Sequence, residues 1–177
     1  SIEINVNNIP TPPNNIESVD TICLGSTCIL IAGGGLRGTI VWYEGTTCDG
    51  EPIKIGDTLI VSPETTTTYS VRRENECGMS PCISTTINVD LMPVITSQPE
   101  DDIVCSGQNT NFCIGVSHSG DINYQWQKNG TDLPFENLSC LSLTEISTGD
   151  QGDYRCKIFN SCTLYSYSAT LTVNEAP

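Results

Sequence analysis

Residues 150–156 read Asp150-Gln151-Gly152-Asp153-Tyr154-Arg155-Cys156, and this stretch decides the fold. Asp150 and Gly152 suit a tight turn, because an Asp side chain accepts backbone N–H bonds and Gly tolerates positive φ. Tyr154 comes two residues before a cysteine, the spacing of a tyrosine corner in a two-sheet β-sandwich. Upstream, Cys113 lies in the alternating run Asn111-Phe112-Cys113-Ile114-Gly115-Val116, and Trp126 follows in Tyr124-Gln125-Trp126-Gln127. Cysteine, tryptophan, tyrosine and cysteine therefore come in the order such a sandwich needs. The spacing predicts a bridge between Cys113 and Cys156, packed on Trp126. It would close a loop of about 44 residues and contribute roughly 3–4 kcal/mol in the chain-entropy account.

Charge and cysteine content narrow the setting. Of 177 residues, 7 are Lys or Arg and 21 are Asp or Glu, a formal charge of −14. This balance argues against nucleic acid or anionic membrane as a partner, since neither gains from a surface of its own sign. The acidic faces read first as solvated surface. Ten cysteines point to disulfides and an oxidising, extracellular or cell-surface location. The longest apolar run, Cys28-Ile29-Leu30-Ile31-Ala32, is far short of the ~20 residues that span a bilayer, so no membrane insertion is expected. With no initiator Met and no signal peptide, the sequence reads as a mature chain or an excised piece.

The chain repeats itself. Ile4-Asn5-Val6-Asn7-Asn8-Ile9-Pro10 matches Ile87-Asn88-Val89-Asp90-Leu91-Met92-Pro93 and, more loosely, Leu171-Thr172-Val173-Asn174-Glu175-Ala176-Pro177. Each copy is an alternating strand closed by a proline, which cannot continue a ladder. The second and third copies close two domains, at 11–93 and 94–177. The first, within 1–10, then reads as the closing strand of a preceding unit. Its Ile2, Ile4 and Val6 want one buried face, and an unpaired strand is a template for pairing. The expectation is strand addition to a neighbouring unit. Thr11–Asn15 reads as a Pro/Asn linker, and Pro93–Pro99 as the segment joining the domains.

Within the first domain, strands are expected at Thr27–Ala32, Thr39–Tyr43, Asp57–Val61, Thr67–Arg72 and Ser84–Asp90, with Trp42 in the core. Within the second they fall near Ile103-Val104, Asn111–Val116, Asn123–Lys128, Cys140–Leu143, Asp153–Phe159 and Leu164–Val173. Asn129-Gly130 marks a hairpin turn. Short strands separated by Gly, Pro and Asn, with no sustained helical period, give an all-β chain of two tandem sandwiches.

Residues Ser97–Val173 resemble an immunoglobulin-like module. The first domain lacks D-x-G-x-Y-x-C. Its Thr21–Ser26, Val41-Trp42-Tyr43, Cys48-Asp49-Gly50, Pro52-Ile53 and Val61–Arg72 resemble a repeat of large secreted surface proteins of Bacteroidetes-type bacteria, including gliding adhesins. Val104-Cys105-Ser106-Gly107 and Asn160-Ser161-Cys162 look like the same style of module. The resemblance implies stalk, spacer or adhesive units in that setting. It also implies a Cys105–Cys162 bridge.

With that implied bridge, the remaining cysteines are assigned as expectations. Each domain has five. Cys23 and Cys48 are expected to pair with Cys77 and Cys82, in either order, leaving Cys28; Cys140 is left over in the second domain. An odd cysteine points to a free thiol or a bridge elsewhere, so Cys28 and Cys140 are the candidate inter-unit cysteines. A single histidine and secreted character disfavour zinc at the two C-x4-C spacings.

Other motifs carry less. Gly33–Gly38 fits G-x-G-x-x-G, but a strand follows where a phosphate site needs a helix. His118 sits in a loop without a catalytic constellation. Asp90, Glu100, Asp101 and Asp102 form an oxygen-rich group suited to calcium, with no ligand loop of defined spacing; a solvated charge run is preferred, and no cofactor is expected. Tyr165 and Tyr167 share the alternating phase of Ala169, Leu171 and Val173, which predicts packing at the core rather than a sugar platform. The resulting expectation is a non-catalytic extracellular structural module, a stalk or filament whose partners are copies of itself or adjacent repeats. The alternative is an adhesin or carbohydrate-binding module attached to a secreted enzyme, with glycan or protein ligand unspecified.

Overall fold

The computed structural model describes residues 8–118 and 120–175. The segment carrying Ile2, Ile4 and Val6 lies outside the described residues. The chain divides into two compact units, one ending at Asp90 and the other starting at Leu91.

The first unit contains β1 (Asn15–Glu17), β2 (Thr21–Cys23), β3 (Cys28–Gly33), β4 (Thr39–Glu44), β5 (Lys54–Ile55), β6 (Thr58–Val61), β7 (Thr67–Asn75), β8 (Gly78–Met79) and β9 (Ile83–Asp90). One sheet has the order β1-β3-β6. The other runs β2-β9-β7-β4-β5, with β8 added to β7. Alternation along β3 sends Cys28, Leu30 and Ala32 inward, against Trp42 of β4 and Val71 of β7, which stand directly opposite each other. Trp42 is fully buried, and its indole N–H donates to the Gly56 carbonyl at 3.0 Å.

The stretch expected as a linker instead begins this domain. Pro13 is fully buried, and the Asn14 N–H donates to the Gly33 carbonyl at 2.8 Å. The glycine run serves this packing. Gly35 has φ 72°, and a Cβ there would stand 2.5 Å from the Pro12 carbonyl oxygen, a place only glycine can fill.

The second unit contains β10 (Val94–Ser97), β11 (Asp102–Cys105), β12 (Thr110–Cys113), β13 (Gly115–Ser117), β14 (Asn123–Lys128), β15 (Thr131–Asp132), β16 (Cys140–Leu143), β17 (Gly152–Phe159), β18 (Thr163–Tyr165) and β19 (Ala169–Asn174). β10 pairs with β13 and β12 with β16, while the larger sheet runs β11-β19-β17-β14-β15 with β18 on β17. The expected joining segment thus contains a strand, because Val94, Ile95 and Ser97 find partners on β13. In both units the second strand runs parallel to the last.

Residues 150–156 fold as their chemistry dictates. The Tyr154 hydroxyl donates to the Asp150 carbonyl at 2.6 Å, closing the tyrosine corner. Gly152 takes φ 150°, and a Cβ on it would lie 2.8 Å from Asn129 Oδ1. That oxygen accepts the Asp153 N–H at 2.9 Å. Tyr154 stacks on Phe112 with ring centroids 5.2 Å apart, and Trp126 stands opposite Cys156 in the core. The chain is all-β: two tandem immunoglobulin-like sandwiches.

Candidate functional site

The cysteines are the first surprise. Cys113 does not reach Cys156. On β12, Thr110 and Phe112 point inward while Asn111 and Cys113 point out. On β16, Leu141 is buried while Cys140 and Ser142 are exposed. Cys113 and Cys140 are directly opposed across this antiparallel pair, Cα atoms 4.1 Å apart, and they form the disulfide. The bridge ties two strands of one sheet on its outer surface, where the sequence reading had it cross the core. Cys156 is left as a fully buried thiol, pushed up to about 11 by burial. The signal for this was present: Phe112 and Ile114 set the inward phase, and Cys113 is out of it.

The other expected roles also shift. Cys140 is consumed by Cys113 and is no inter-unit cysteine. Cys28 is a free thiol buried on the inward face of β3, 2 % exposed, so it cannot bridge to another unit either. Cys105 is an exposed free thiol, while Cys162 is disulfide-bonded; the Cys105–Cys162 bridge is not made. In the first domain Cys48 is joined to Cys82, and Cys23 is also disulfide-bonded.

The Cys48–Cys82 bridge has a visible consequence. Val41 and Tyr43 alternate with Trp42 and therefore point away from the main core. They are nonetheless buried, in a second small cluster with Cys48. The loop between β4 and β5 lies over this outer face. Ser70 of β7, fully buried, donates its hydroxyl to the Thr47 carbonyl at 2.9 Å, and Cys82, just before β9, anchors the loop covalently. At the edge of the cluster, Arg72 Nε donates to Glu74 Oε1 at 2.6 Å and the Tyr43 hydroxyl donates to the same carboxylate. The Tyr43 hydrogen bond, with the adjacent guanidinium, holds Glu74 below the usual carboxylate range, while burial and Glu74 push Tyr43 up.

The same face of the second domain carries different chemistry. In register, Gln127 stands opposite Arg155 and Gln125 opposite Lys157, as Tyr43 stands opposite Ser70 and Val41 opposite Arg72. Arg155 lies over the Tyr165 ring at 4.6 Å, and Lys157 over Phe159 at 4.9 Å. Arg155 Nε donates to Gln127 Oε1 at 2.7 Å, and Gln127 Nε2 donates to Asp132 Oδ1 at 2.7 Å. Tyr165 and Tyr167 are 42 % and 75 % exposed, against the expected core packing. The reason is a bulge. Ser166 bonds to Cys156 and Ala169 stands opposite Tyr154, so three steps on one strand face two on the other. The extra residue flips the phase.

The remaining candidates are not gathered into a site. His118 contacts Asn160 Nδ2 at 3.1 Å. Asp101 Oδ1 accepts the Thr170 N–H at 2.7 Å, and Asp102 accepts from the Thr110 hydroxyl and the Ile103 N–H. Among the described residues no three His, Cys, Asp or Glu side chains are grouped to hold a metal, and no helix is long and apolar enough to cross a membrane.

Comparison with known proteins agrees with the fold and corrects the setting. Residues 92–160 match the immunoglobulin domain. The chain is 33 % identical to chicken protein sidekick-2 over 132 residues, 67 % of this chain and 6 % of that protein. It is 33 % identical over 69 residues to the mouse mucosa-associated lymphoid tissue lymphoma translocation protein 1 homolog, 39 % of this chain and 8 % of that protein. The chain therefore spans a small part of these curated relatives. Among solved structures, the I-band fragment I67–I69 from titin superposes with a TM-score of 0.59 at 22 % identity, over 96 % of this chain and 67 % of that one. The resemblance to Bacteroidetes-type surface repeats is overturned: the curated relatives are animal proteins built with immunoglobulin-like domains. The Thr21–Ser26 motif is a short strand, Thr21–Cys23, followed by a turn with Gly25 at φ 84°, local chemistry that specifies no lineage.

Proposed function

We propose that this chain is a pair of non-catalytic immunoglobulin-like modules from an extracellular or cell-surface protein, working through protein–protein contact. The observation that carries the reading is the placement of its disulfides. Cys48–Cys82 straps a loop over an outer sheet face and Cys113–Cys140 clips two strands on the surface, neither crossing between the two sheets of its sandwich. Bridges of this kind persist in oxidising compartments. Similarity to sidekick-2 supports the same setting, and the tandem immunoglobulin structures support the fold. The test is to produce the full chain in an oxidising and in a reducing compartment. The reading expects bridged protein from the first and a destabilised product from the second. Equal stability of a fully reduced chain would overturn it.

A further inference from the structure

We infer that the outer face of the β14–β17–β18 sheet, centred on Arg155, Lys157 and Tyr165, is a docking surface for an acidic protein segment; this rests on the reading of the chain as a contact module. The second unit has three basic residues, Lys128, Arg155 and Lys157, against ten acidic ones. Two of the three stand side by side on the outward phase of β17. Among the described residues neither has a carboxylate within ion-pair distance, whereas Arg72 of the first unit does. Two cations left without carboxylates in so acidic a domain are complementary to an anion from elsewhere.

Arg155 is also held ready. Its Nε is engaged by Gln127, whose amide is fixed in turn by Asp132, and its guanidinium plane rests near Tyr165. The terminal nitrogens of the fork remain for a carboxylate, the geometry in which arginine binds most strongly. A side chain already ordered loses little freedom on binding. The equivalent face of the first unit is occupied by its own strapped loop, between Gly45 and Ile53, which shows that a segment of chain fits over this surface of the sandwich.

The spacing selects a peptide. Arg155 and Lys157 are two residues apart on a strand, roughly 7 Å, and carboxylates at alternate positions of an extended segment repeat at the same distance. Asp153, next in phase on β17, accepts the Thr170 hydroxyl at 2.8 Å and would repel an anion, so it bounds the site on that side.

The probe is a synthetic peptide of alternating Glu and Thr, titrated into the full chain and followed by amide chemical shifts. Shifts at β17 and β18, weakened by salt and reduced about tenfold in affinity by Arg155→Gln, are expected; Lys157→Gln should weaken binding less, and Lys54→Gln not at all. The Gln-Thr peptide should not bind. Equal binding by the Arg155→Gln/Lys157→Gln double variant, shifts elsewhere, or binding of an acidic polysaccharide such as hyaluronan in place of the peptide would each overturn the inference. Such a failure leaves the disulfide test of the module reading untouched.

Discussion

The two sandwiches solve one packing problem in the same way and then diverge on one face. In each, a fully buried tryptophan of the central strand faces a strand that carries a buried tyrosine, Trp42 against Val71 and Trp126 against Cys156, though among the described residues only Tyr154 closes a tyrosine corner. Tyr69 and Tyr154 each stand two residues before that position. The difference lies behind the sheet. The first domain covers Val41 and Tyr43 with a disulfide-strapped loop; the second leaves two cations and aromatic rings at the surface, over a buried Gln127. A plan of burial shared by the two domains thus leaves the outer face free to differ, and that face is where they differ in what they can touch.

Breaking the shared part should cost most. Trp42→Ala and Trp126→Ala should each remove about 3–5 kcal/mol, read from denaturant unfolding by circular dichroism. A much smaller loss in one domain would show that the cores are not equivalent. Next comes the strap. Cys48→Ala with Cys82→Ala should destabilise the first domain by about 3–4 kcal/mol in the chain-entropy account. Trp42 fluorescence in a Trp126→Phe background reads this domain alone.

Tyr154→Phe removes the hydrogen bond to the Asp150 carbonyl and should cost about 1 kcal/mol. It also changes the response to alkali. Burial pushes Tyr154 up to about 12, from 10 in the unfolded chain. The folded state therefore holds its proton longer, and that contribution is complete below pH 10 and lost as the pH rises toward 12. The Phe variant should lose less stability across this window, measured by unfolding at pH 9, 10 and 11. The smallest effect should be Cys156→Val. Valine already fills the matching place in the first domain, so a change below about 1 kcal/mol is expected, where loss of a core disulfide would cost several.

Much of this was legible in the residues. The D-x-G-x-Y-x-C stretch announced the corner, and Trp42 and Trp126 announced the cores. The disulfides were harder because the motif drew Cys113 into a core that Phe112 fills. In β3 the phase itself was hidden: Cys28, Ile29, Leu30, Ile31 and Ala32 are all apolar, so nothing shows which three point inward. The exposure of Tyr165 and Tyr167 turned on a bulge, a single residue that alternation along a strand does not register. The docking face depends on Arg155 meeting Tyr165 and Gln127 across strands, contacts set by pairing register rather than by neighbours in sequence.

The placement of the cysteines carries the account, and it is read most directly by peptide mapping of unreduced protein, with thiols blocked first in the native state and again after unfolding. Peptides linked through Cys113–Cys140 and Cys48–Cys82 are expected, with Cys156 blocked only after unfolding. A peptide linked through Cys113–Cys156 would contradict it.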